Sequence, residues 1–288
     1  MRALVDAVTA HDSTTPLSEH VMLHLPGGGD SDVRHLLVRG AGRLDGYAHL
    51  DVTDRVAGSS AELAVHPGAR GRGIGRALTE ALLTQSPDGR LRLWAHGDRP
   101  EANKLAASLG FERIRSLWQM RRPLAEPLAQ GRLPEGVTLR TFHPGEDEQA
   151  WTALNNTVFA AHPEQGAWGL EEVTVREAEP WFDPDGFFLA FRGVRLVGFH
   201  WTKVHGGTSH HDHQHGQLGE VYVVGVDPSE QGHGLGPALT LVGLHYLQDK
   251  GLTEVMLYVD EANTHAIRVY ERLGFTREST DVCFARSP

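Results

Sequence analysis

Two glycine-rich segments carry the most chemical information in this sequence. They are Arg70-Gly71-Arg72-Gly73-Ile74-Gly75, followed by Arg76, and Gln231-Gly232-His233-Gly234-Leu235-Gly236, followed by Pro237. Glycine lets the backbone turn tightly and come close to a ligand. Where a strand gives way to a helix, successive N–H groups and the helix dipole turn such a loop into an anion site. Neither segment has the Gly-Lys-Ser/Thr of a P-loop or the acidic residue of a Rossmann fingerprint. Arg70, Arg72 and Arg76 add positive charge to the first loop. Glu220 precedes the second loop and Tyr270 follows it, where the first copy has Ser59 and Ala106. A carboxylate and a phenol can accept and donate protons, and only the second copy has both.

Two other groups invite chemistry and are expected to do none. His205, His210, His211, His213 and His215 crowd a Gly/Ser-rich stretch. Bunched imidazoles can take up zinc adventitiously, but a catalytic metal needs fixed geometry. A solvated hairpin tip is expected there, and no metal. Cys283 is the single cysteine and has no neighbouring base in sequence, so a buried thiol is expected rather than a nucleophile.

The elements that must position these groups come in duplicate. Val65, Pro67, Gly73 and Gly75 recur in order as Val226, Pro228, Gly234 and Gly236, and Leu109-Gly110-Phe111 recurs as Leu273-Gly274-Phe275. Two blocks matching in register over so long a period indicate a duplicated domain rather than a solenoid. In each copy an apolar strand (62–65; 221–226) meets a proline-containing turn, the glycine loop and a helical pattern (76–84; 237–249). A second strand (91–95; 254–259) and a short helix stopped by Gly110 or Gly274 follow. Upstream, 36–39 with 47–52 and 187–191 with 196–204 read as meanders. Prolines at 123, 127 and 134 suggest a linker over 123–136. The expected organisation is one domain over 1–122 and a second over 137–288, both mixed α+β.

Composition sets bounds. Of 288 residues 40% are hydrophobic and 22% charged, enough to bury a core. Lys and Arg number 27 against 37 Asp and Glu, a net charge of −10 that argues against a phosphate-backbone binder. No apolar run approaches the roughly 18 residues of a membrane helix, and no secretory h-region opens the chain. A monomeric cytoplasmic protein with no nucleic-acid or membrane partner is expected.

The two loops, Arg70-x-x-Gly73-x-Gly75 and Gln231-x-x-Gly234-x-Gly236, resemble the acetyl-CoA motif of the GNAT N-acetyltransferase family, Arg/Gln-x-x-Gly-x-Gly/Ala. The resemblance implies two tandem domains, each with a central, mostly antiparallel sheet splayed at a bulge in its fourth strand and flanked by helices. It also implies acetyl-CoA lying in that split as acetyl donor. Its contacts would then be Val224, Gly225 and Val226, the loop 231–237, and Asn263, Thr264, His265, Ala266, Ile267 and Arg268. In the first copy the matching positions are Leu63, Ala64 and Val65 with the loop 71–76, binding one acetyl-CoA structurally or surviving as an empty vestige. Val224-Gly225 is the expected bulge, with the Val224 N–H polarising the acetyl carbonyl.

Pro16-Leu17-Ser18-Glu19, Asn155-Asn156-x-x-Phe159-Ala-x-His162-Pro163-Glu164 and Gly219-Glu220 narrow the resemblance to tandem members that acetylate the cysteine amine of a cysteinyl-glucosaminyl-inositol conjugate. It implies Glu220 as general base, Tyr270 as acid toward the coenzyme A sulfur, and Glu19, Glu164, Lys203, Glu220 and Tyr258 as substrate contacts. Catalysis would belong to the second copy alone. Acetylation of another amine, such as an aminoglycoside or a protein N-terminus, is a second expectation. A non-catalytic acetyl-CoA sensor is a third.

Overall fold

The computed structural model describes residues 1–18, 21–22, 33–53, 58–87, 89–160, 168–205 and 218–287. Glu19 and Glu164, and the histidines from 210 to 215, lie outside the described residues. The chain divides into two units. Unit 1 comprises Met1–Trp118, Asp260–Ala262 and Ser279–Pro288; unit 2 comprises Gln119–Val259 and Asn263–Glu278.

In unit 1, β1 (Val33–Arg39), β2 (Leu44–Asp51) and β3 (Ser59–Val65) form an antiparallel meander. β4 (Leu91–Ala95) then pairs parallel to β3, and the end of β11 (Thr276–Arg286) pairs antiparallel to β4. Helix α1 (Arg2–Asp12) covers one face through Leu4, Val5 and Val8 against Tyr47 and Ala64. Helices α2 (Ile74–Gln85) and α3 (Pro100–Ser108) cover the other, where Leu78, Leu82 and Ala106 meet Ala48, Leu50, Ala61 and Leu93. Alternate residues of a strand point to opposite faces, so the period-2 pattern of β3 feeds both layers.

Unit 2 repeats this plan. Its strands run β6 (Val137–Thr141), β7 (Phe187–Arg192), β8 (Arg195–His205), β9 (Leu218–Val226), β10 (Glu254–Asp260), with the last residues of β5 (Glu112–Pro123) beside β10. Helices α4 (Glu148–Val158) and α5 (Leu170–Glu177) lie on one face over an aromatic core. There Trp151 meets Phe187, Phe199 and Trp201 edge-on at 5.4 to 5.6 Å, contacts that add to the burial of each ring. Helix α6 (Leu235–Asp249) covers the other face, and α7 (Thr264–Arg272) follows β10. Gly274 stops α7 with φ at +85°, as the Leu-Gly-Phe repeat implies.

The proline-containing stretch 123–136 is laid along unit 2. Leu124 N donates to Thr253 O, Gln248 Nε2 donates to Leu124 O at 2.6 Å, and Leu133 packs beside Leu235 and Leu239. A stretch without periodicity is thus fixed by the Gln248 side chain of α6 and by the Thr253 carbonyl just before β10.

Candidate functional site

The fourth strand of unit 2 opens the site. β9 pairs with β10 only through Leu218↔Glu254, Gly219↔Val255 and Glu220↔Met256, and beyond Glu220 the strands part. On its other edge β9 slips by one residue against β8: Trp201 faces Val223 while Thr202 faces Val221. Tyr222 is therefore the extra residue. The expected bulge at Val224-Gly225 is corrected to Tyr222, because Val224 and Gly225 keep their partners His200 and Phe199. Gly225 is needed for another reason: a Cβ there would stand 2.5 Å from the Phe199 ring. A bulge strengthens local twist, which turns β9 away from β10 where the split begins.

Val224, Gly225 and Val226 lie beyond the last β9–β10 pair, so this lip is available for extended, amide-rich ligands. At its end Gly232 and Gly234 have φ of +81° and +83°, and Gly234 caps α6. No atom stands within 4 Å of a Cβ built on either glycine, so backbone conformation alone requires them. Leu235, Gly236 and Pro237 form the first turn of α6, where N–H groups have no intrahelical acceptor and proline forfeits none. His233 stands exposed in the loop. Asn263 caps α7 by accepting from Ala266 N at 3.1 Å, with Thr264, His265 and Arg268 exposed and Ile267 buried. An amide nest at a helix start suits a pyrophosphate.

At the root of the split the structure gathers Glu220, Lys203 and His205. Lys203 and Glu220 are cross-strand partners, and both are buried. His205 Nε2 and Glu220 Oε2 are 2.7 Å apart. His205 is thus the terminal residue of β8, beside the carboxylate; sequence reasoning had assigned it to the solvated loop. The Lys203 ammonium lies 4.5 Å from the Trp181 ring and 5.3 Å from that of Tyr222. Burial pulls its pKa down to about 8, with the Glu220 carboxylate opposing the shift. Tyr270 is buried in α7 with its ring edge-on to Phe275, and burial pushes its phenol up to about 12. Tyr258, half-exposed on β10 past Met256, accepts a hydrogen bond from Gln119 Nε2 at 3.0 Å.

Unit 1 keeps the loop and changes the root. Gly71 and Gly73 have φ of +74° and +82°, and Gly73 caps α2, where Ile74 and Gly75 begin the helix. Arg70 is turned inward: its guanidinium grips Asp12 at 2.8 and 2.6 Å and donates to Val65 O, so its charge is already matched. Arg72 is exposed and Arg76 donates to Ser108 Oγ. β2 and β3 pair without a slip, and the β3–β4 pairing goes on through Ala61 and Glu62. Leu63, Ala64 and Val65 alone extend past it. Arg92 and Met256 stand equally far before the Leu-Gly-Phe of their copies, so Ser60, the partner of Arg92, matches Glu220. The counterpart inferred from sequence, Ser59, is displaced by the bulge.

Where β3 and β4 part, unit 1 carries a buried acid–imidazole–acid cluster that sequence reasoning missed. His96 Nδ1 is 2.9 Å from Asp281 Oδ2, and its Nε2 is 3.4 Å from Glu62 Oε2. Ser18 N donates to Glu62 at 2.6 Å. Burial alone would lower the His96 pKa, but Asp281 and Glu62 together raise it to about 10. Burial likewise works against the Glu62 carboxylate, which His96 and Ser18 nevertheless hold below its ordinary range. Asp281 is distant in sequence from both partners, so no local pattern could have marked the cluster.

Among the described residues no group of three or more His, Cys, Asp or Glu could hold a metal ion. Cys283 is buried in β11.

Comparison with known proteins agrees with this geometry. A profile described as the acetyltransferase (GNAT) family matches residues 151–275, and one described as an acetyltransferase (GNAT) domain matches 31–113. The chain is 56% identical over 284 residues to the mycothiol acetyltransferase of Thermobispora bispora, covering 99% of this chain and 94% of that one. It is also 56% identical to that of Acidothermus cellulolyticus, covering 99% and 89%. Among solved structures, a GCN5-related N-acetyltransferase from Sphaerobacter thermophilus superposes with a TM-score of 0.73 at 26% identity, over 99% of this chain and 90% of that one. A tandem GNAT protein from the clavulanic acid pathway, at 22% identity and TM-score 0.73 over 98% and 93%, shares the fold. With two copies of the splayed sheet and of the amide loop, and with these relatives along nearly its whole length, the chain belongs to the GNAT acetyltransferase family, in its tandem mycothiol acetyltransferase branch.

Proposed function

We propose that unit 2 transfers an acetyl group from acetyl-CoA to the cysteine amine of cysteinyl-glucosaminyl-inositol, the last step of mycothiol biosynthesis. The observation that carries this reading is the placement of Glu220, whose carboxylate is buried at the last paired position before β9 and β10 part. Acetyl-CoA supplies the activated acetyl group along the free lip of β9, with its pyrophosphate on the amides of the loop from Gln231 to Gly236. The Val224 N–H polarises the thioester carbonyl. Glu220 takes a proton from the substrate ammonium, directly or through one water, and the amine then attacks the carbonyl carbon. As the new C–N bond forms and the C–S bond breaks, the Tyr270 phenol faces the leaving sulfur. Burial keeps that phenol protonated at neutral pH, so it donates its hydrogen to the developing thiolate and is reprotonated, through water, by the second proton that the new amide nitrogen sheds. Lys203 is a donor for hydroxyl or carbonyl oxygens of the acceptor, and Tyr258 lies on the opposite lip.

Unit 1 is the binding copy. Its loop repeats the backbone conformation of unit 2, while Ser60 stands where the base would be. It takes a second acetyl-CoA without turning it over. The single cysteine requires no disulfide and fits a reducing, cytoplasmic setting, with the monomer as the working unit.

The test is coenzyme A release coupled to a thiol reagent. Glu220→Gln is expected to lower turnover about 10²- to 10⁴-fold, with Ser60→Ala near wild type. Wild-type rates in Glu220→Gln would refute the assignment. An aminoglycoside panel run beside the cysteinyl conjugate separates the amines, and release with none of them would leave a sensor.

A further inference from the structure

Tyr222 is the residue that the bulge leaves without a cross-strand partner. The β-ladder does not aim its side chain, so other contacts must. Its ring lies edge-on to Trp181 at 5.1 Å and to Trp201 at 5.3 Å, and forms part of the seat under the Lys203 ammonium. Its phenol oxygen accepts a hydrogen bond of 2.7 Å from Arg176 Nε, on α5. Burial raises the Tyr222 pKa against the pull of Arg176, so the phenol keeps its own proton.

Arg176 is itself held at both ends. Its Nη1 donates to Glu172 O at 2.8 Å, and its guanidinium lies 4.1 Å over the Trp168 ring. The backbone of Trp168 is in turn clasped by Asn156 of α4, which donates to Trp168 O at 2.8 Å and accepts from Trp168 N at 3.2 Å. A continuous chain of contacts thus runs from α4 through α5 to the bulge and ends at the cross-strand pair Lys203 and Glu220.

We propose that Arg176 is a positioning residue for the amine acceptor: by holding the Tyr222 phenol it fixes the aromatic seat of Lys203 next to Glu220. This rests on the functional reading above. The glycine loop that binds the donor on backbone amides begins past Val226, at the far end of the β9 lip from Glu220, so loss of Arg176 is expected to weaken acceptor recognition far more than donor binding. A planar guanidinium both stacks and donates through Nε, which an ammonium cannot reproduce.

The experiment is steady-state kinetics of the full chain with each substrate varied in turn. Arg176→Gln and Tyr222→Phe are each expected to raise KM for the cysteinyl conjugate roughly tenfold, the loss of one hydrogen bond to a charged donor. KM for acetyl-CoA should stay within about twofold in both. The double variant should be no worse than Arg176→Gln alone, since the contact Tyr222→Phe removes is already lost there, and Arg176→Lys should fail to restore KM. An equal rise in KM for acetyl-CoA, additive losses, or full rescue by Arg176→Lys would each overturn the proposal. Should Arg176→Gln fold poorly, the near-isosteric Tyr222→Phe still decides between a selective and a general loss. The reading of Glu220 is judged separately by Glu220→Gln, and the KM split is measured on whichever amine the wild type acetylates.

Discussion

Replacing Lys203 by methionine should stabilise the protein while impairing it. The ammonium is buried on β8, and burial lowers its pKa from 10.5 to about 8, with Glu220 opposing. That difference between the free and buried ammonium corresponds to about 3 kcal/mol. The sign follows from linkage. Between about 8 and 10.5 the unfolded chain holds a proton that the folded chain has lost, so stability from this group rises with pH across that window. Below pH 8 the full cost of burying the charge is present. Against it stand the contacts over Trp181 and Tyr222, about 1–2 kcal/mol for a desolvated cation over aromatic faces. Methionine replaces these in part through sulfur–aromatic contact. Lys203→Met should therefore gain about 1–3 kcal/mol at pH 7, read as a higher urea midpoint at unchanged slope. The gain should shrink by roughly 2 kcal/mol by pH 9.5, and turnover of the cysteinyl conjugate should fall at both pH values. A lower midpoint at pH 7, or a gain independent of pH, would refute the argument that the protein bears a buried charge for the sake of its substrate.

The acid–imidazole–acid cluster of unit 1 has the opposite pH signature. His96 is raised from 6.5 to about 10, so the stability it confers is complete below pH 6.5 and is lost as pH climbs through 10; His96→Asn should abolish that slope and cost about 3–5 kcal/mol by leaving Glu62 and Asp281 uncompensated. A pH-stability profile of the variant parallel to wild type would contradict this. Gly234→Ala puts an L side chain on left-handed backbone at φ +83°, at a cost of about 1–2 kcal/mol. It should raise KM for acetyl-CoA with little change in KM for the amine, which paired substrate titrations would show.

Local chemistry was legible in the chain. The loops from Arg70 and Gln231, the strands before them and the glycine stops at Gly110 and Gly274 depend on neighbours a few residues apart, because positive φ and helix capping are local constraints. Comparing the two copies also isolated Glu220 and Tyr270, since duplicated positions that differ in type need no coordinates to be seen. The comparison failed by one residue at Ser59, because an alignment without gaps does not register a bulge.

The sequence by itself determined the duplication, the left-handed glycine backbone at each strand-to-helix turn, and the asymmetry of ionisable groups between the copies. Tertiary structure decided where the bulge falls, because register is set by pairing with β8 and not by β9 alone. It decided too that His205 meets Glu220, that Arg70 is neutralised by Asp12, and that His96 lies between Glu62 and Asp281. Each of these joins residues far apart in the chain, and a charge's partner is fixed only when folding brings the two into the same dry space.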